Sequence, residues 1–198
     1  MKTIKTLSAA LTVVFAFAAL SASAATAHEW KIRGLGLTKS VPVSQTATYK
    51  FLDETNGASF ICTVEEKGTV GPGAAGKITS IKELSCATSS EFCEAAPTLE
   101  ALHLPWSTEL VTFEGGLGNE ITTKSPLPEW KWKCKSHFET WTETCGVYPT
   151  MKAKNVSLGV EETFPEKDRT GCSNSSLFYE EKGGILKETV EEEKLQAV

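Results

Sequence analysis

The sequence predicts an all-β domain, a disulfide-stapled antiparallel β-sandwich or open barrel. Three observations predict it. Short runs of residues alternate apolar and polar with the period of a strand. Gly, Pro and Asn-Gly signals punctuate those runs at short intervals. Six cysteines, Cys62, Cys86, Cys93, Cys134, Cys145 and Cys172, give the even count of a disulfide framework.

Taken in order, Trp30-Lys31-Ile32 opens the first strand. Thr46 to Leu52 alternates, with Ala47, Tyr49 and Phe51 on one face. Asn56-Gly57 is a hairpin turn signal. Ala58 to Glu66 returns, with Phe60, Cys62 and Val64 on a shared face. Gly68 to Gly76 reads as a glycine-rich loop and Lys77 to Leu84 as a strand. Cys86 to Cys93 reads as a short loop. Leu99 to Leu104 and Trp106 to Glu114 are strand-like, separated at Pro105, which lacks a ladder donor. Gly115 to Asn119 reads as a turn, Ile121 to Thr123 as a short strand, and Ser125 to Pro128 as a link. Val156, Leu158 and Val160 alternate. Leu177 to Glu180, a Gly183-Gly184 turn and Ile185 onward read as a last hairpin. Strand is favoured over helix for the tail Lys187 to Val198, because its surroundings are β; Glu191 to Glu193 then form a solvated face.

The stretch Trp130 to Cys145, WKWKCKSHFETWTETC, is the most distinctive. Read as a strand, it sends Trp130, Trp132 and Cys134 one way and Lys131, Lys133 and Lys135 the other. Lysine heads must stay hydrated, so the favoured reading buries the Trp-Trp-Cys face. The alternative exposes Trp130 and Trp132 as a flat ligand platform on which sugar rings stack. Fifteen disulfide connectivities are open. Sequence proximity favours Cys86 with Cys93 and Cys134 with Cys145, leaving Cys62 with Cys172.

The N-terminus reads as a secretory signal peptide over residues 1–24. It has a positive region (Lys2, Lys5), an apolar run from Leu7 to Leu20, and an Ala22-Ser23-Ala24 cleavage site; a second site would place cleavage as late as residue 27. Residues 25–198 then form a single β domain of about 170 residues, enough for a real core. The expected location is secreted, in the extracellular space. No integral membrane span is expected in the mature chain, since no later stretch is long and apolar enough. Loss of Lys2 and Lys5 takes the formal net charge from −5 to −7, which argues against nucleic acid and anionic membranes as partners.

Gly68-Thr69-Val70-Gly71-Pro72-Gly73, Ile78 to Ile81, Cys86 and Cys93, Leu104-Pro105-Trp106, and Trp132 with Cys134 follow one another in a combined pattern. It resembles that of a group of uncharacterised small secreted proteins of Gram-positive soil bacteria, over roughly residues 58–145. The resemblance implies export, the cysteine frame and a β fold. It implies no catalytic residue, cofactor or ligand.

Chemical constellations each meet a plainer reading. Gly71 to Gly76 spells G-x-G-x-x-G, but a strand-like Lys77 to Ile81 follows where a dinucleotide site needs a helix. Cys134-x-x-His137 with Cys145 hints at zinc, but thiols in an oxidising compartment pair with each other. His28 reads as a mobile terminus and His103 as a packed ring. Asp53 to Gly57 carries oxygens without calcium-loop spacing, and no G-x-S-x-G elbow is present. No catalytic residue, cofactor site or metal site is therefore assigned. The expected function is a secreted non-enzymatic extracellular or cell-envelope binding or structural module. Its partner would be an envelope glycan or protein, met through loops such as Gly68 to Gly76. The alternative is a secreted hydrolase of polysaccharide or ester with an unrecognised site. A protease inhibitor would need a rigid loop such as Cys86 to Cys93.

Overall fold

The computed structural model describes residues 27–53, 59–89, 93–147, 150–157, 159–163, 177–188 and 195–198. The expectations for the signal peptide, the Asn56-Gly57 turn, Cys172 and Glu191 to Glu193 lie outside these residues. Among them the secondary structure is entirely β. The strands are β1 (Trp30–Ile32), β2 (Leu35–Gly36), β3 (Val41–Asp53), β4 (Ser59–Val70), β5 (Ala75–Thr88), β6 (Thr98–Leu102) and β7 (Trp106–Phe113). They continue with β8 (Gly116–Ile121), β9 (Glu129–Lys135), β10 (Thr140–Gly146), β11 (Thr150–Val156), β12 (Gly159–Thr163), β13 (Leu177–Glu188) and β14 (Leu195–Ala197). Every pairing is antiparallel.

The disulfide-stapled antiparallel β fold that the periodicity predicts is the one the chain forms. Of the two architectures expected, the main sheet takes the barrel, and the barrel closes. Its order is β11-β12-β13-β3-β4-β5-β7-β8, with β8 returning to β11 through Thr150↔Glu120 to Ala153↔Leu117. Closure removes the exposed edges that an open sheet would present. Two three-stranded sheets, β14-β1-β2 and β10-β9-β6, complete the fold.

Each small sheet seals one apolar region. Trp130, Trp132, Cys134, Cys145 and Leu99 of the β10-β9-β6 sheet share a core with Tyr49, Phe51, Phe60, Val64 and Trp106 of the barrel. Trp30, Leu195 and Ala197 of the other sheet share a second core with Val43, Val70, Leu110, Ala153 and Val160. Trp30 is locked there by its indole N–H, which donates to the Ala74 carbonyl at 3.0 Å. The inward positions of β3 therefore run Val43, Gln45, Ala47, Tyr49, Phe51, from one core to the other with a polar residue between.

Register, not proximity, sets the disulfides. Cys62 faces Cys86 directly across β4 and β5, with Cα atoms 4.1 Å apart. Cys93 is bonded to Cys134, with Cα atoms 5.4 Å apart. Cys145 is also disulfide-bonded. The expected pairs Cys86–Cys93, Cys134–Cys145 and Cys62–Cys172 are thus not formed. In the β9–β10 hairpin Cys134 lies opposite Trp141, and Cys145 opposite Trp130. Four residues of strand separate them, about 13 Å at the usual rise, beyond the reach of a bridge. The disulfides indicate folding in an oxidising compartment, and no described helix is long and apolar enough to cross a membrane.

Several local expectations are corrected. Gly116 to Asn119, expected in a turn, belong to strand β8, and the reversal is confined to Glu114-Gly115. Val156 and Val160 belong to two strands, β11 and β12, with the reversal between them. Gly183-Gly184 is no turn: β13 runs through it with a bulge between Glu181 and Gly183. The tail strand is present as β14, paired with β1.

Candidate functional site

The residues suggested by the sequence gather into no reaction centre. Trp130 is 0% exposed and Trp132 9%, so the ligand platform is overturned and the core reading holds. The physical reason is the sheet's placement. Its Trp-Trp-Cys face turns onto the barrel, where Trp130 meets Tyr49 at 4.6 Å and Trp106 at 5.3 Å, and Trp132 meets Phe60 at 4.8 Å. Neither Trp130 nor Trp132 finds an acceptor for its indole N–H.

The remaining constellations resolve similarly. The Gly71 to Gly76 segment is a tight reversal between two strands, closed by Gly71 N–H donating to Ala75 O at 2.8 Å. It is no free loop, because Trp30 N–H donates to Gly73 O at 2.9 Å and Leu110 N–H to Ala74 O at 3.0 Å. Cys134 is consumed in a disulfide, and His137 pairs with Glu94 on the surface. Among the described residues no three His, Cys, Asp or Glu side chains form a metal-holding group. His28 is not loose; its ring bonds the Thr112 hydroxyl at 2.8 Å. His103 is exposed rather than packed, in a left-handed backbone conformation (φ 63°), with Nε2 3.2 Å from Glu129 Oε2. Nearby, Ile121, Thr123, Leu127, Glu129 and Val147 border a cavity of about 150 Å³.

Two features stand out instead. The first is a polar layer inside the barrel, between the two apolar cores. Gln45, Glu66, Thr108, Asn119 and Glu162 are all buried, from β3, β4, β7, β8 and β12 respectively. Gln45 Nε2 donates to Glu66 Oε2 at 2.6 Å and to Glu162 Oε2 at 3.0 Å, so one amide bridges two carboxyl groups. The Tyr49 hydroxyl donates to Glu66 Oε1, and Asn119 Nδ2 donates to Glu162 Oε1 at 2.7 Å. Gln45 Oε1 and Asn119 Oδ1 have no partner. Burial pushes the Glu162 carboxyl up to about 7 against the lowering effect of the Asn119 bond, and the Glu66 charge adds to the rise. Burial likewise raises Glu66, opposed by the bonds from Tyr49 and Gln45. The cavity these residues border is about 20 Å³, room for a water-sized species but for no organic substrate.

The layer had a sequence signal. Glu66 continues the inward parity of Phe60, Cys62 and Val64, and Gln45 that of Ala47, Tyr49 and Phe51. A polar residue in phase with a core face is either mispaired or purposeful.

The second feature is the tip of the β9–β10 hairpin. Ser136 organises it: its backbone N–H and hydroxyl both donate to Glu139 O, at 2.8 and 3.0 Å, and its hydroxyl oxygen accepts from the Glu139 and Phe138 N–H groups at 3.1 and 3.3 Å. A short serine turn of this kind holds its central residues outward. Phe138 is 96% exposed and Trp141, opposite Cys134, 50% exposed. Exposed Thr140 and Thr142 flank Trp141. The exposed aromatic rings of this stretch are thus Phe138 and Trp141, not Trp130 and Trp132. No protein-family model, curated protein or solved structure matches the chain.

Proposed function

We propose that the protein is an exported, non-enzymatic binding module that contacts a carbohydrate surface of the cell envelope through the tip of the β9–β10 hairpin. The observation that carries this reading is the exposure of Phe138 and Trp141 on a turn fixed by Ser136. An exposed aromatic ring is uncommon as a solvated surface and useful as a contact, since it offers a rigid apolar face at little entropic cost. Lys135 and Glu139 supply charged hydrogen-bonding groups at the turn, and Thr140 and Thr142 supply hydroxyls on the opposite face of β10. A sugar ring needs this mixture, an apolar face to stack on and polar neighbours at its edge.

Export is supported by the leader-like residues 1–24, by the disulfides, and by the resemblance of residues 58–145 to small secreted proteins. The non-enzymatic part is supported by the interior. The two carboxyl groups with raised pKa border a cavity too small for a substrate.

Co-sedimentation of the full exported chain with insoluble envelope polysaccharide tests the reading. Wild-type protein sediments, and the Phe138→Ala/Trp141→Ala variant loses about tenfold or more in affinity, as two anchor side chains lost from a small contact should cost. Its melting temperature stays within about 2 °C of wild type, because neither ring is core. Equal binding by the variant, or no binding by wild type, contradicts the reading. Release of soluble sugar by wild-type protein would place the hydrolase alternative ahead.

A further inference from the structure

The polar layer inside the barrel holds a chemical imbalance. With both acids ionised, the layer offers six side-chain oxygens on Glu66, Glu162, Gln45 and Asn119, against donors from two amide groups, one phenol and the Thr108 hydroxyl. The amide and phenol donors are spent on the carboxylates: Gln45 Nε2 reaches both, Asn119 Nδ2 reaches Glu162, and Tyr49 reaches Glu66. Gln45 Oε1 and Asn119 Oδ1 remain unpartnered, although Gln45 is 7% and Asn119 4% exposed. Turning either amide over does not help, for it sets an oxygen against a carboxylate and strands the NH2 group. Neither carboxylate has an ion-pair partner among the described residues, and Lys67, which borders the cavity, pairs with Glu65 at 2.9 Å. The two carboxylate oxygens that share Gln45 Nε2 lie no farther apart than the sum of their distances to it. What is missing from the layer is positive charge and something for four oxygen-bearing side chains to coordinate.

We propose that this layer binds one hard divalent cation of the calcium type, coordinated by the carboxylates of Glu66 and Glu162 and the amide oxygens of Gln45 and Asn119. The donor set is all oxygen, which suits calcium and not zinc or copper. Two carboxylates match the charge of one divalent ion. Each carboxylate oxygen accepts a single hydrogen bond and keeps a second lone pair for a metal. All four side chains border the one cavity of about 20 Å³, together with Thr108. The same cavity reaches the β4–β5 wall at Lys67, Gly68 and Ile78. There the register slips, with Lys67 opposite Ser80 and Gly68 opposite Ile78. A bulge of this kind disrupts a ladder locally and is frequent beside functional sites. The site is independent of the hairpin tip, and its failure leaves the carbohydrate reading untouched.

Calcium alone is the probe, added to the disulfide-intact full chain after stripping with a chelator. Calorimetry should give one site per chain with a dissociation constant of roughly 10⁻⁴–10⁻³ M, as in extracellular calcium modules, and the melting temperature should rise with calcium concentration. Terbium bound in the same oxygens lies beside Tyr49, so its emission should be sensitised by aromatic excitation and displaced by calcium. Glu162→Gln, which keeps the side-chain shape, should fold and lose calcium binding at least tenfold; Glu66→Gln serves if it does not fold. Absence of both calcium heat and sensitised terbium emission in wild-type protein overturns the proposal, for it leaves a layer that holds water alone. Unchanged calcium affinity in a folded Glu162→Gln protein overturns it equally.

Discussion

Trp130 is held by rings on two sides, Tyr49 and Trp106, while Trp141, on the neighbouring strand and the same face, is half in water. Trp130→Ala should cost about 3–5 kcal/mol, the range for truncating a buried aromatic, whereas Trp141→Ala should cost less than about 1 kcal/mol; chemical denaturation measures both. Glu162 makes a second prediction. Its carboxyl is raised to about 7 in the fold from an ordinary 4.5, so between those values the native state binds more protons than the unfolded chain. The stability this contributes is present below about pH 4.5 and lost as pH rises through about 7, a loss of up to ~3 kcal/mol. Denaturation of chelator-treated protein across that window should show the decline, and Glu162→Gln should flatten it. The alternation of Trp130, Trp132 and Cys134 against three lysines was enough to place those rings in the core, because a lysine head cannot be buried cheaply. The partners of Glu66 were not legible, since a single strand's parity says that a side chain points inward but not what faces it.

Strand pairing decides what chain order cannot. The Cys62–Cys86 bridge follows from one register pair in β4–β5, and the β9–β10 register keeps Cys134 and Cys145 apart. Non-reducing peptide mapping should recover Cys62–Cys86 and Cys93–Cys134; recovery of Cys86–Cys93 would refute this register. Removing the first bridge with Cys62→Ala/Cys86→Ala should cost about 3 kcal/mol in the chain-entropy estimate, for a closed segment with a sequence separation of 24. The glycines show the same limit from another direction. Gly183-Gly184 carries the composition of a turn, yet β3 offers a full-length partner, and β13 passes through with a bulge. Glu114 and Gly115 do form a turn, with positive φ at both. Composition locates a place where the chain is able to bend; pairing determines whether it does.

At the scale of the molecule, β11-β12-β13-β3-β4-β5-β7-β8 close a barrel whose inward positions are stacked as apolar, polar and apolar levels, with a small sheet over each apolar level. Short alternating strands announced the all-β class. Closure was not legible, because it rests on β8 meeting β11 and β13 meeting β3, pairings between strands far apart in sequence. On the outside of the molecule, the β9–β10 tip exposes the rings of Phe138 and Trp141. Four of the five tryptophans, Trp30, Trp106, Trp130 and Trp132, are buried and Trp141 is not. Iodide quenching of tryptophan emission, compared between wild type and Trp141→Phe, separates this arrangement from any that exposes the Trp130–Trp132 face. Substitution of Trp141 should abolish nearly all iodide-accessible emission. Persistence of that emission in Trp141→Phe, with its loss in Trp130→Phe/Trp132→Phe instead, would contradict it.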